Sequence, residues 1–298
     1  MIRFLMAMLL ATASLPGLAA LQIFATVPEW GALAREIGGD KVSVFTATTA
    51  LQDPHRIQAR PSLLAQARRA DLVVATGADL EVGWLPLVLR DSGFRSGRVG
   101  KPLHFEAARF VTLPDVPAVL DRSQGDIHAA GNPHVQLDPR NLFRIGEALA
   151  LRLGEIDPPN AQAYLAGYQA FAGKWQAAIA RWEKEALPLR GVPVLVHHDS
   201  FVYLANWLGF RTSGTLEPKP GVEPTSGQLS SLVARQQSVP AKMVLRTAYQ
   251  NDGPRLWIAD KAGIPAVLLP FTVGGTPEAG DLTGLFDDTV RRLLKGLR

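Results

Sequence analysis

The sequence predicts an α/β protein of two lobes, each a mostly parallel sheet flanked by helices, joined by one long helix. Three observations carry that reading. Short apolar runs rich in β-branched residues alternate with helical stretches over residues 21–89 and again over 192–297, the pattern of parallel strands linked by crossover helices. Between them, from Pro158 to Leu187, no strand pattern occurs, and Tyr164, Tyr168, Phe171, Trp175, Ile179 and Trp182 recur at three- and four-residue steps, the stripe of one helical face. At 1.5 Å per residue that helix spans roughly 40 Å, the diameter of a small domain, so it can bridge two cores. The total of 298 residues leaves room for both.

In order, Leu21 to Val27 reads as a strand, Glu29 to Ile37 as a helix and Lys41 to Thr46 as a second strand. A polar loop follows from Ala47 to Arg60. Pro61 suits the first turn of a helix ending near Arg69, Asp71 to Thr76 (DLVVAT) forms a third strand, and Leu80 to Leu89 a helix. After the long helix come a strand at Val192 to His197, a helix at Ser200 to Leu208, a strand at Lys242 to Thr247, a helix at Pro254 to Ala262 and a strand at Pro265 to Leu269. A helix over Leu282 to Leu297 closes the chain, with Arg291, Arg292 and Lys295 set against its C-terminal dipole. The expected divisions are 1–20, 21–157, 158–187 and 188–298.

Residues 1–20 read as a cleaved secretory signal. Arg3 precedes an apolar run from Phe4 to Leu10, and ASLPGLAA at 13–20 ends in small residues suited to signal peptidase. The apolar run is shorter than the roughly 20 residues a membrane span needs. The chain has no cysteine, which excludes thiol nucleophiles, iron–sulfur clusters, cysteine-based zinc knuckles and a lipid-modified cysteine. A free periplasmic protein is therefore expected. The formal charge of +4 is spread rather than clustered and gives no footprint for nucleic acid.

Six histidines stand at 55, 104, 128, 134, 197 and 198. His55 follows a strand within Gln52-Asp53-Pro54-His55, His134 lies in GNPHVQLDP just before a helix, and His198 sits where a strand hands over to a helix. Ligands of open α/β sheets bind beyond the carboxyl ends of strands, which is where His55 and His198 fall. Imidazole is the usual zinc ligand when thiolates are absent. A single such histidine is more often a hydrogen-bonded or surface residue, but three in loop-like positions of two lobes point to a metal.

DPH at 53–55, NPHVQLDP at 132–139 and HDSFVYLANWLGF at 198–210 resemble the three histidine segments of the zinc/manganese-type substrate-binding proteins of bacterial ABC importers. GADLEVGWL at 77–85, EPKPGVEPTSGQLSSL at 217–232 and the long central helix extend the resemblance over nearly the whole mature chain. It implies a carrier, not an enzyme, that holds one ion between its lobes through His55, His134 and His198. His197 would point the other way if it continues the strand. The implied cargo is Zn2+ ahead of Mn2+, because manganese prefers more oxygen donors. The implied partners are an ABC permease in the inner membrane and a periplasmic metallochaperone, with the carrier a monomer.

One departure matters. Many relatives carry a carboxylate where this chain has Val273, in Phe271-Thr272-Val273-Gly274-Gly275. Asp281 could reach back as a fourth ligand, a water could take the place, or Asp281 could simply cap the last helix. His128, in GDIHAAG at 125–131, reads as a solvated loop residue. A secreted three-histidine zinc hydrolase is the alternative function, although no HExxH or GxSxG segment is present. Glu217 and Glu223, in Pro-rich surroundings, read as structural.

Overall fold

Two four-stranded, all-parallel sheets form the frame of the protein, seen here in a computed structural model that describes residues 19–94, 103–118 and 125–298. The leader expected over 1–20 falls outside the described residues except for 19 and 20. Among the described residues no helix is long and apolar enough to cross a membrane.

The first sheet has strand order β2-β1-β3-β4, from Val42–Thr46, Leu21–Ala25, Leu72–Ala75 and His104–Glu106. Phe24 pairs with Phe45 on one side and Val73 on the other, so β1 and β3 lie at the centre. Helices α1 (Pro28–Gly38), α2 (Pro61–Arg69) and α3 (Leu85–Ser92) make its crossovers. The second sheet has order β6-β5-β7-β8, from Arg211–Thr215, Pro193–Val196, Val244–Arg246 and Ala266–Leu268. Its helices are α6 (Val202–Leu208), α7 (Ser226–Arg235) and α8 (Asp252–Ala262). Helices α4 (Pro139–Ile156) and α5 (Ala161–Glu185) run between the sheets in sequence, and α9 (Leu282–Gly296) ends the chain.

Alternating side chains divide each central strand between two cores. Phe24, Val73 and Ala75 face α2 and α3, while Leu195 and Val244 face α7 and α8. The opposite set, Ile23, Ala25, Leu72 and Val74 from one sheet and Val194, Val196 and Leu245 from the other, belongs to a single core that continues through α1, α4, α5 and α9. The long helix is the spine of that shared core. Its Trp175 ring packs on Phe171, Trp182 and Phe286 with centroids 5.0, 5.2 and 5.5 Å away. Both indoles find acceptors, Trp175 Nε1 on the Pro139 carbonyl at 2.7 Å and Trp182 Nε1 on Asp287 Oδ1 at 2.6 Å, as buried indoles must. On the opposite flank α1 crosses α5 so closely that a Cβ at Gly167 would lie 2.1 Å from the Ile37 carbonyl.

The rhythm of strands and helices expected from the sequence is present, with three elements added. β4 is three residues long, β6 is the polar run RTSGT with no buried residue, and α7 starts on a Thr225 cap that accepts from Gln228 N, while the helix expected just after His134 is α4, which begins at Pro139. The helix expected over Leu80 to Leu89 begins later, at Leu85. Gly77, Ala78 and Asp79 all adopt positive φ, at 75°, 49° and 64°, and this left-handed turn cannot be helical. The buried Glu81 carboxylate holds it, accepting from Thr76 N, Gly77 N and the Thr26 hydroxyl.

Candidate metal centre

Two of the three predicted histidines are set by the same local device. In Asp53-Pro54-His55, Asp53 Oδ1 accepts from His55 N at 3.0 Å and stands 2.8 Å from His55 Nδ1. In Asn132-Pro133-His134, Asn132 Oδ1 accepts from His134 N at 3.1 Å and stands 2.8 Å from His134 Nδ1. An Asx side chain bonding the backbone two residues on is a common turn; here it also grips the ring. The Asn132 amide orientation follows from its other end, where Nδ2 donates to the Asp199 carbonyl at 2.9 Å. Only its oxygen then faces His134, so His134 Nδ1 carries the proton and Nε2 is bare. Trp84 Nε1 donates to the Pro54 carbonyl at 2.9 Å and ties the first of these turns to the start of α3.

His198 comes from the end of β5, in the other lobe. Its Nδ1 lies 2.6 Å from Glu217 Oε2, which also accepts Gly221 N at 2.8 Å. A carboxylate or carbonyl behind Nδ1 is the arrangement that orients ligating imidazoles and raises their basicity.

The structure brings the three predicted histidines together. Ring centroids are 5.7 Å apart for His55 and His134, 6.2 Å for His55 and His198, and 5.8 Å for His134 and His198. Four-coordinate zinc with Zn–N near 2.0–2.1 Å would set such centroids about 5 Å apart. The rings therefore stand somewhat wider than a closed cage, and among the described residues no group of three or more His, Asp or Glu meets metal-binding geometry as it stands. His134 is 1% exposed and His198 8%. The Nε2 atoms of His55 and His134 are buried without a hydrogen-bond partner. Burial, and then the neighbouring rings of His55, His198 and His128, hold the His134 imidazole well below its ordinary pKa, so it stays neutral and keeps its lone pair free.

Asp281 is placed elsewhere. It is exposed, it caps α9 by accepting Gly284 N at 2.7 Å, and it lines none of the described cavities around the histidines. The cap role left open in the sequence is the one the fold gives it, because a carboxylate at this position satisfies a free N–H of the first helical turn. The segment around Val273 brings an aromatic to the histidines. Phe271 holds a positive φ of 67° and its ring lies 5.5 Å from that of His134.

Four residues take places at the site that were not read from the sequence. His128 is not a solvated loop residue: its ring lies 5.3 Å from His55 and 6.5 Å from His134, and its Nε2 is buried without a partner. Glu217 is the carboxylate behind His198, within 3.8 Å of His197 Nε2 as well. His197 is buried and lines the same cavity as His198 and Glu217. Beyond the histidines and Glu217 stands Glu29, 2% exposed in the first turn of α1, which accepts the Thr272 hydroxyl from the other lobe. Desolvation pushes its carboxyl up to about 7 against the opposing hydrogen bond from Thr272. Glycines flanking the rare contacts could have hinted at the loop: a Cβ at Gly125 would lie 2.2 Å from the Pro220 carbonyl, and one at Gly221 2.1 Å from Asp126 Oδ2.

Two parallel α/β lobes on one spine, with a cluster of imidazoles between them, define a substrate-binding protein of the metal ABC transporters. The chain belongs to the family of ZnuA, the periplasmic component A of the zinc-uptake complex, whose family model matches residues 23–296. It is 22% identical over 256 residues to the metal ABC transporter substrate-binding lipoprotein SloC of Streptococcus mutans, covering 84% of this chain and 80% of that one. It is 23% identical over 226 residues to the manganese-binding lipoprotein MntA of Halalkalibacterium halodurans, covering 74% and 69%. A crystal structure of a ZnuA deletion mutant with zinc bound superposes with a TM-score of 0.77 over 93% of this chain and 98% of that one, at 22% identity.

Proposed function

We propose that this protein captures a zinc ion between its lobes through His55, His134 and His198 and delivers it to an ABC permease in the inner membrane. The observation that carries the reading is the division of labour within the rings. Asp53, Asn132 and Glu217 engage the three Nδ1 atoms, and the Nε2 atoms of His55 and His134 are left buried without partners. A buried polar atom without a partner is costly unless something binds it, and a bare imidazole nitrogen is a metal donor. Three nitrogen donors favour zinc over manganese, which suits oxygen-rich sites.

The family consists of transport proteins, and the geometry offers little to a hydrolase. Glu217, the carboxylate nearest the rings, is committed to His198 and Gly221 rather than free to act as a base. We further propose export through a leader over 1–20, a monomeric periplasmic carrier, and lobes over 21–157 and 188–298 flanking the helix. The test is metal analysis of protein isolated from the periplasm beside a variant with His55, His134 and His198 all changed to Ala. Stoichiometric zinc in the first and none in the second is expected. A wild-type protein that neither carries zinc nor is thermally stabilised by it would overturn the proposal.

A further inference from the structure

We propose that His128 is a fourth ligand to the same ion, so that the site closes on four imidazoles with no protein carboxylate in contact with the metal. The inference rests on the three-histidine reading above and adds to it a donor from a loop.

Geometry comes first. The His128 ring is 5.3 Å from that of His55, nearer than any pair among the other three, and 6.5 Å from that of His134. Its Nε2 is buried and has no partner, as are those of His55 and His134. Bringing the His128 ring from 6.5 Å to the about 5 Å spacing from His134 that a tetrahedral nitrogen cage sets takes a shift of about 1.5 Å, within the reach of a loop.

The loop that carries it is fastened to both lobes. Asp126 N donates to the Pro220 carbonyl at 2.9 Å, while Arg56 Nη2 donates at 3.2 Å to both Asp126 Oδ2 and the Gly221 carbonyl. On the other side Ala129 N donates to Asp79 Oδ2 at 3.1 Å, and Asp79 is held forward by the left-handed turn that precedes Glu81. Asp126 and Ala129, on either side of His128, are thus both anchored, and His128 lines a cavity of about 460 Å³ together with His55, Arg56, Asp79 and Asp126. Of the side chains at the other candidate positions for the fourth ligand neither offers a donor, since Asp281 is a helix cap and Val273 is apolar, which leaves His128 with a water as its rival. A fourth nitrogen in place of an oxygen would also strengthen the preference against manganese.

The test uses the metal-stripped full chain, with Zn2+ itself as probe. Affinity is measured by competition with a chelator, and the zinc environment by X-ray absorption, for wild type, His128→Ala, His128→Gln and the control His104→Ala, whose Nε2 is likewise buried without a partner but whose strand end is remote in sequence from the cluster. One bound zinc is expected in all four proteins. Both His128 variants should bind at least tenfold more weakly and show one imidazole replaced by a light oxygen donor, while His104→Ala behaves as wild type. His128 variants with wild-type affinity and an unchanged spectrum would overturn the fourth ligand and leave the three-histidine site standing. Failure of wild type to take up zinc would overturn both.

Discussion

Replacing Glu29 by Gln should make the protein more stable at pH 8 while leaving it little changed at pH 5. The Glu29 carboxyl is fully enclosed at the start of α1, and its pKa is raised from the ordinary 4.5 to about 7, chiefly by burial. Its one side-chain partner of the opposite lobe is the Thr272 hydroxyl. A carboxyl with a raised folded-state pKa favours the fold only while protonated. Its contribution is complete below about pH 4.5, falls as the unfolded chain ionises first, and is gone once pH passes 7. A displacement of about 2.5 pH units at 1.36 kcal/mol each corresponds to about 3 kcal/mol lost between those limits. Glutamine keeps an acceptor for Thr272 and never ionises, at a cost of about 1 kcal/mol for burying its amide. The variant should therefore gain about 2 kcal/mol over wild type at pH 8, or about 5 °C in melting temperature for a chain of this size. Urea titrations of the metal-stripped proteins at pH 5 and pH 8 read the difference directly, because every other titrating group cancels between the two. A stability difference that is the same at both pH values, or a variant less stable at pH 8, would refute the assignment of a buried, ionising Glu29.

Other consequences are as accessible. Asn132→Ala removes the group that fixes the His134 tautomer and should weaken zinc binding about 10- to 100-fold, the usual effect of losing a ligand's hydrogen-bond partner, without abolishing it; calorimetric titration measures this. Gly167→Ala forces a methyl group against the Ile37 carbonyl and should destabilise the protein by about 2 to 3 kcal/mol, read as an earlier urea midpoint at unchanged slope. Zinc affinity should fall once pH is low enough for protons to compete for the imidazole lone pairs, and because burial holds the His134 ring well below its ordinary pKa of 6.5 its share of that fall comes at lower pH; chelator competition from about pH 8 to about pH 4 follows it, and an affinity that falls nowhere in that range would exclude histidine donors.

Much of this molecule was legible before its structure. The strand and helix rhythm, the long helix and the gathering of His55, His134 and His198 follow from patterns strong enough to survive folding. The α5 stripe, for example, needs no context to mark one face as buried. What escaped has a common physical character. β6 is RTSGT, an edge strand that buries no side chain, so apolar periodicity cannot find it. His128 acquires its position from backbone bonds to Pro220 and Asp79, residues distant in sequence, and a loop with small neighbours looks solvated in isolation. Asp281 carried both a ligand reading and a capping reading, and the local N–H of Gly284 was the nearer partner. The Asx-Pro-His repeat at 53–55 and 132–134 could have been read as a pair of ring clamps, since both acceptors lie within two residues of the ring they hold.

The core that runs unbroken through both lobes bears on how such a carrier gives up its cargo. Prising the sheets apart would strip solvent protection from Trp175, Trp182, Trp207 and Phe286, whose rings form one interlocked cluster. Burying aromatic side chains stabilises a fold by about 1.5 to 3 kcal/mol each, so a wide opening would carry much of the barrier to unfolding. The body of the molecule should thus behave as a single cooperative unit with one melting transition. On the proposed ligand set, unloading falls to the thin rim that carries the histidines and their partners: the two Asx turns, the Glu217 loop and the His128 loop. A docking partner that draws on Arg56 or Asp79 could loosen that rim ligand by ligand while the frame beneath it stays still.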